Sequence, residues 1–182
     1  MRKLVATEFV SLDGVMESPE KWSGPFFDEG VGKYKNDEVF ATDALLLGRV
    51  TYEGFAASWP GREDEDGFAD RFNSLPKHVA TTTLNEFEWK NSSKIEGDLY
   101  ASVAALKEEA GQDIVIHGSG QLVNNLMEHG LIDEYRLMVF PVVVGKGKKL
   151  FQEGVTAEMK LVDTKTFESG VAVLTYAPAS GK

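Results

Sequence analysis

A chain of 182 residues with 42% hydrophobic residues can bury a sizeable core, and we expect one domain over residues 1–182. Its formal net charge of −10 argues against a general nucleic-acid binder and against a basic membrane-surface protein. The absence of cysteine excludes disulfides, thiolate metal sites and a cysteine nucleophile.

The chain opens with a strand-like segment, residues 3–10, and shows no long apolar stretch near its start. We therefore expect no signal peptide, no membrane span and a cytoplasmic location. A turn follows the strand, because Asp13-Gly14 is a strong turn dipeptide that needs no ligand to explain it. Asp13 is also a candidate site carboxylate, since ligands of open α/β sheets gather where loops leave the strand ends.

Residues 16–30 are predicted to form a long irregular loop that carries Trp22, Phe26 and Phe27. Such a loop either packs its rings on the domain or covers a pocket. A helix is predicted over residues 28–42. Four of its charged side chains are expected to face water: Lys33, Lys35, Asp37 and Glu38.

The most informative stretch runs from residue 43 to residue 53. A short apolar run is typical of a strand covered on both faces, and Gly48 then allows a sharp turn. Thr51 is predicted to cap the helix that follows, with Glu53 in its first turn. A helix N-terminus beside the Arg49 guanidinium predicts an anion site, with phosphate as the ligand. The alternative is a strand–turn–helix corner whose arginine is only solvated.

A second strand–glycine–helix unit spans residues 113–129, with its turn at Gly118, Ser119 and Gly120. The unit lacks the full dinucleotide fingerprint, because position 123 is Val. Two such units in one chain nevertheless favour a dinucleotide, which has more than one anionic group to hold. His117 ends the strand and is either a structural histidine or a ligand contact.

The remaining segments complete an α/β pattern. They are a helix around 68–75, a strand over 77–83 that ends in threonines, a helix over 99–110 capped by Asp98, a strand over 134–140 and a hairpin of 159–167 with 171–177. The acidic run 63–66 is interpreted as a solvated loop, and metal binding there is less favoured. The pattern predicts a mostly parallel sheet flanked by helices, with antiparallel C-terminal edge strands.

These motifs, in this order, resemble the dihydrofolate reductase-like superfamily, and most of all the reductase domain of riboflavin biosynthesis in a stand-alone form. The likeness covers nearly the whole chain. It rests on Ser11-Leu12-Asp13-Gly14, Leu47-Gly48-Arg49-Val50-Thr51-Tyr52-Glu53, Thr81-Thr82-Thr83-Leu84, Gly118-Ser119-Gly120 with Leu122, and the segments 130–134 and 141–147. Val15 stands where that reductase domain usually has a lysine, so the fold and cofactor carry over better than the substrate.

The resemblance implies a three-layer dihydrofolate reductase-like fold and an NADPH-dependent reductase of a riboflavin-pathway or pterin-like substrate. The implied cofactor-binding residues are Gly48, Arg49, Thr51, Thr81, Thr83, His117, Gly118, Ser119, Gly120 and Leu122. Arg49, Thr81 and Thr83 would meet the adenosine 2′-phosphate. The substrate would lie beneath Trp22 and Phe27, and Asp13 is the candidate proton donor.

A homodimer is also expected, because the riboflavin-type relatives pair and the apolar run 139–144 could serve an interface. That run is equally consistent with a buried strand. Two other functions stay open at this point: a nucleotide-binding module without turnover, and a protein that docks a partner through its acidic face. A flavin is the alternative cofactor, although no motif selects it.

Overall fold

The structure is a computed structural model that describes residues 1–179. Its sheet has eight strands, and strand β1 (Leu4–Ser11) lies in the interior of that sheet. The other strands are β2 (Thr42–Gly48), β3 (Lys77–Ala80), β4 (Ser92–Lys94), β5 (Asp113–His117), β6 (Glu134–Phe140), β7 (Met159–Thr166) and β8 (Ala172–Pro178). The α-helices are α1 (Glu29–Phe40), α2 (Arg49–Ser58), α3 (Phe68–Ser74), α4 (Leu99–Glu108) and α5 (Gly120–Glu128).

The strand order across the sheet is β4-β3-β2-β5-β1-β6-β8-β7. Strands β1 to β6 pair in parallel, while β8 runs antiparallel to β6 and β7 antiparallel to β8. This confirms the predicted fold class, a mostly parallel sheet with antiparallel C-terminal edge strands. Because β2, β5 and β1 are adjacent and parallel, the turns that follow them meet at one edge of the sheet.

Helices cover both faces of the sheet. Leu4, Ala6 and Val10 of β1 belong to one core cluster with residues of α4 and α5. Val5 belongs to a second cluster with residues of α1, α2 and α3. Since side chains of a strand alternate between faces, Glu8 points to the α5 side of the sheet, whereas Thr7 points to the α1 side.

Two predictions about local structure are wrong. Thr51 is not the helix cap, because α2 already begins at Arg49, and Gly48 is the capping residue with an extended backbone. Lys35 and Glu38 do not face water; each is only 6% exposed. The reason is their spacing, since Val31, Lys35 and Glu38 stand at i, i+4 and i+7 on the face of α1 that meets the sheet.

Most other boundaries shift by a few residues. The first strand is Leu4–Ser11 rather than 3–10, and the predicted strand over 77–83 stops at Ala80. Strand β6 ends at Phe140, so the run 139–144 is not one buried strand, and Val143 is 68% exposed. Among residues 1–179, no helix has both the length and the apolar character needed to cross a membrane.

Candidate functional site

The hydroxyl of Ser119 joins the two predicted anion-binding turns. The backbone N–H of Gly48 donates to Ser119 Oγ over 2.9 Å, and Ser119 Oγ donates to Thr51 Oγ1 over the same distance. The Thr51 hydroxyl therefore helps to bridge the two turns. The β2–α2 corner and the β5–α5 turn thus form one continuous surface at the carboxyl edge of the sheet.

The turn after β5 brings its backbone very close to its neighbours. Gly118 has a φ of +58°, and a Cβ there would lie 3.2 Å from Thr51 Oγ1. A Cβ at Gly120 would collide with the sulfur of Met16, in the loop after β1. Ser119 follows with a φ of +59°, which is strained for a residue other than glycine. Turns of this kind, at the start of a helix, form a concavity of N–H groups that fits phosphate oxygens.

Arg49 lies at the start of α2, where its half-exposed guanidinium is 2.9 Å from the carboxylate of Glu53. Gly48 pairs in register with Ala80, so the threonines after β3 lie beside the Arg49 corner. Thr81 Oγ1 accepts a hydrogen bond from the backbone N–H of Leu84, and Thr83 is exposed. The two turns, at Gly48 and at residues 118–120, together form what we call the phosphate cradle. One cation and several hydroxyls thus lie on the same side of this cradle.

His117 and Leu122 contribute to the core as well as to this edge. The His117 ring lies 5.5 Å from the Phe72 ring and 6.3 Å from the Phe55 ring, between centroids. Burial lowers the pKa of His117 to about 3, and the Lys35 ammonium adds to this effect. The imidazole is therefore neutral at physiological pH, although the residue keeps some accessible surface. The Leu122 side chain is 7% exposed and packs in the core, which leaves its backbone for any ligand contact.

The aromatic loop divides between packing and exposure. Trp22 packs edge-on against Phe140 at 5.6 Å, and its indole N–H donates to the carbonyl of Glu17. Phe27 is 43% exposed, and its ring lies 6.0 Å from that of Phe9. Trp22 therefore fixes the loop to the domain, whereas Phe27 offers an apolar ring at the surface.

Asp13 is engaged in holding another loop. Its carboxylate accepts hydrogen bonds from the hydroxyl of Ser11 and from the backbone N–H groups of Val144 and Gly145, over 2.6, 3.0 and 2.8 Å. These bonds lower the pKa of Asp13 to about 2. A carboxyl that is ionised at neutral pH is poorly suited to give up a proton, so the structure does not support Asp13 as the proton donor.

We expect Asp13→Ala to loosen the segment around Val144, because two backbone N–H groups lose their acceptor. Trypsin should then cleave faster after the exposed lysines that follow, Lys146, Lys148 and Lys149. The rate of cleavage is measured by mass spectrometry, with Asp66→Ala in the exposed acidic run as the control. Equal rates in both variants and the parent would show that Asp13 does not anchor this loop.

A buried charged cluster lies beneath the site, between α1 and the sheet. The Lys35 ammonium pairs with the Glu38 carboxylate and lies 3.4 Å from the hydroxyl of Thr7. Burial by itself would raise the pKa of Glu38, but Lys35, assisted by Arg136, overcomes this and brings it to about 2. The Glu38 carboxyl is therefore ionised at neutral pH. The helical spacing from Val31 was a signal that could have revealed this cluster in the sequence.

Glu8 is a second buried residue near the site that was not predicted from the sequence. It is 1% exposed, and its Oε1 atom has no hydrogen-bond partner within the part of the chain that the structure describes. Burial raises the pKa of Glu8 well above its usual value and so favours the protonated carboxyl. The strand period could have found it, because Glu8 interrupts the inward-facing series Leu4, Ala6 and Val10.

Comparisons with known proteins agree with this architecture. Residues 2–173 match the RibD C-terminal domain. The uncharacterized protein YyaP of Bacillus subtilis (strain 168) is 31% identical over 182 residues, covering 96% of this chain and 94% of that protein. A solved structure from Shewanella sp. PV-4 aligns with a TM-score of 0.73 and 20% identity, over 98% of this chain and 99% of that one.

A longer protein shows the same fold. The diaminohydroxyphosphoribosylaminopyrimidine deaminase/5-amino-6-(5-phosphoribosylamino)uracil reductase of Thermotoga maritima aligns with a TM-score of 0.67 and 16% identity. The alignment covers 98% of this chain and 57% of that one. At this level of identity the likeness supports the fold alone.

Proposed function

This chain belongs to the RibD C-terminal domain family, a reductase-like domain of the riboflavin-biosynthesis type, and from that premise we propose that it is an NADPH-dependent reductase. Its substrate is a small heterocycle of the riboflavin-pathway or pterin type. The observation that carries the proposal is the hydroxyl of Ser119, which fuses the Gly48 corner and the Gly118 turn into one surface for phosphate groups.

The residues present fit a phosphorylated dinucleotide. The close-packed turn of Gly118, Ser119 and Gly120 offers backbone N–H groups to the diphosphate. Arg49, with Thr81 and Thr83 beside it, would hold the adenosine 2′-phosphate, and a local cation is needed because the chain carries a net charge of −10. NADPH, when bound, supplies a hydride for a C=N or C=O group.

We place the substrate beneath the aromatic loop that precedes α1. Phe9 and Phe27 offer apolar rings there, and the Lys35 ammonium lies 5.6 Å from the centre of the Phe9 ring. Thr7 and His117 are paired in register and share the same face of the sheet. An apolar wall above a small polar floor suits a flat heterocycle that bears hydrogen-bonding groups.

A second candidate is a nucleotide-binding module without turnover. It is favoured by one observation: the carboxylate of Asp13, the acid in the first loop, has a lowered pKa and accepts hydrogen bonds from the backbone of the 144–145 segment.

Titration of the protein with NADPH and NADH, followed by nicotinamide fluorescence and calorimetry, tests the proposal. We expect micromolar binding with NADPH preferred. A panel of reducible uracils, pterins and riboflavin intermediates is then screened for NADPH consumption. Failure to bind either dinucleotide would overturn the proposal, while tight binding with no oxidation by any substrate would favour the module.

We further propose a homodimer. The support is a group of large apolar side chains on the surface around the segment after β6: Leu12 is 63% exposed, Val143 68% and Phe151 40%. Light scattering should give twice the 20.0 kDa mass of one chain, and a monomer at micromolar concentration would refute this assembly.

A further inference from the structure

We propose that Glu8 is a positioning residue for the turn of Gly118, Ser119 and Gly120, and that this turn holds the phosphates of NADPH well only while the Glu8 carboxyl is protonated. The inference rests on the proposed function, because it assigns this turn to the dinucleotide. It adds a residue that does not touch the reacting atoms but sets the charge beneath the cradle.

The strand register places Glu8 directly beside the turn. Thr7 of β1 pairs with His117, the last residue of β5, so the next residues along the two strands are Glu8 and Gly118. Glu8 points to the α5 face, the face on which Ala6 and Val10 pack against the helix that follows the turn. The carboxyl is therefore buried on the α5 face of the sheet, beside the first residue of the turn.

The surroundings of Glu8 disfavour a charge. Leu137 of β6 stands opposite Glu8 in the register and is apolar. From α1, the Lys35 ammonium favours the ionised carboxyl and the Glu38 carboxylate opposes it, but these two groups already pair with each other. The backbone N–H of Gly118 also favours ionisation, yet burial outweighs both effects and raises the pKa of Glu8.

The protonation state decides what the turn offers to a ligand. A neutral carboxyl can accept from the Gly118 N–H without adding charge. An ionised carboxyl would place a negative charge beneath a concavity that must bind anions, and it would draw the turn N–H groups away from the phosphates. At typical distances and dielectric within a protein, such repulsion weakens binding on the order of tenfold.

The dissociation constant of NADPH, measured on the full chain over the pH range in which the protein stays folded, tests this inference. We expect binding to weaken on the order of tenfold more in the parent protein than in Glu8→Gln, because glutamine keeps an acceptor and cannot ionise. Glu128→Gln, the same change at the exposed end of α5, should follow the parent. Identical pH profiles for the parent and Glu8→Gln would overturn the inference and leave the proposed function standing.

A second measurement needs no cofactor. A carboxyl whose pKa is raised by folding stabilises the native state at low pH, and this contribution is lost as pH rises from about 4.5 through the folded pKa. Urea unfolding should therefore show the parent losing stability relative to Glu8→Gln as pH rises. A constant difference would mean that Glu8 is already ionised, which overturns the inference. If no variant binds NADPH at any pH, the proposed function fails and the inference fails with it.

Discussion

Replacing Glu38 by glutamine is expected to lower the free energy of unfolding by roughly 3–5 kcal/mol, as is usual when one partner of a buried ion pair is removed. The Glu38 carboxylate meets the Lys35 ammonium on one side and Arg136 Nη1, 3.3 Å away, on the other. Without it, the Lys35 ammonium stays buried and loses its carboxylate partner, whereas Arg136 keeps its ion pair with Glu134. Equilibrium unfolding in urea measures the loss.

The same helix offers a matched control. Lys33 and Asp37 form an ion pair at 2.8 Å, but their side chains are 73% and 66% exposed. Asp37→Asn should therefore cost only about 0–1 kcal/mol. A double variant, Lys35→Met with Glu38→Leu, should recover much of the loss, because no unpaired charge is left inside. Equal costs for Glu38→Gln and Asp37→Asn would show that the buried pair has no special weight.

The pH dependence of this effect follows from the lowered pKa of Glu38. The folded pKa is about 2, against 4.5 for the ordinary carboxyl. The ionised carboxylate therefore stabilises the folded protein fully above pH 4.5, and this contribution is lost as pH falls from 4.5 towards 2. The difference in stability between the parent and Glu38→Gln should shrink over that range and stay constant above it.

Most of the fold could be predicted from the sequence, because the apolar runs, the glycine turns and the hairpin all indicated the same architecture. Apolar runs such as residues 44–47 mark buried strands, and the glycines after β2 and β5 mark the turns that approach a ligand. The hairpin of β7 and β8 was visible from the short turn at Glu168, Ser169 and Gly170 between two strand-like segments. These signals are local, so they can be interpreted without knowing which elements pack against each other in the fold.

The interior of the site was harder to predict from the sequence, because it depends on contacts between residues that are far apart along the chain. Ser119 and Thr51 are 68 positions apart, and only the adjacency of β2 and β5 brings their hydroxyls together. Lys35 and Glu38 were assigned to water, yet both stand on inward-facing positions of a helix. Glu8, for which no prediction was made, is likewise buried, on a strand. Asp13 was assigned to chemistry from its place after β1, while two of its three hydrogen-bond partners lie more than a hundred residues further along the chain.

Arg49→Ala should weaken NADPH binding by roughly tenfold to a hundredfold, because a charge-assisted contact to phosphate contributes about 1.5–3 kcal/mol. NADH lacks the 2′-phosphate, so its affinity should change little. The structure adds a competitor, since the Arg49 guanidinium is already paired with Glu53 on the surface. Removing that carboxylate in Glu53→Gln frees the guanidinium, and we expect NADPH to bind several-fold more tightly, within the range of an exposed ion pair.

Arg62→Ala is the matched control for this pair of variants. It removes one positive charge from an exposed arginine that stacks on Trp59, with its guanidinium 4.7 Å from the ring centre. The long-range field therefore changes as it does in Arg49→Ala, while the cradle stays intact. If Arg49→Ala weakens NADPH and NADH equally, or no more than Arg62→Ala does, the guanidinium does not read the 2′-phosphate. If Arg49→Ala selectively weakens NADPH binding and Glu53→Gln strengthens it, the corner after β2 is assigned to the 2′-phosphate.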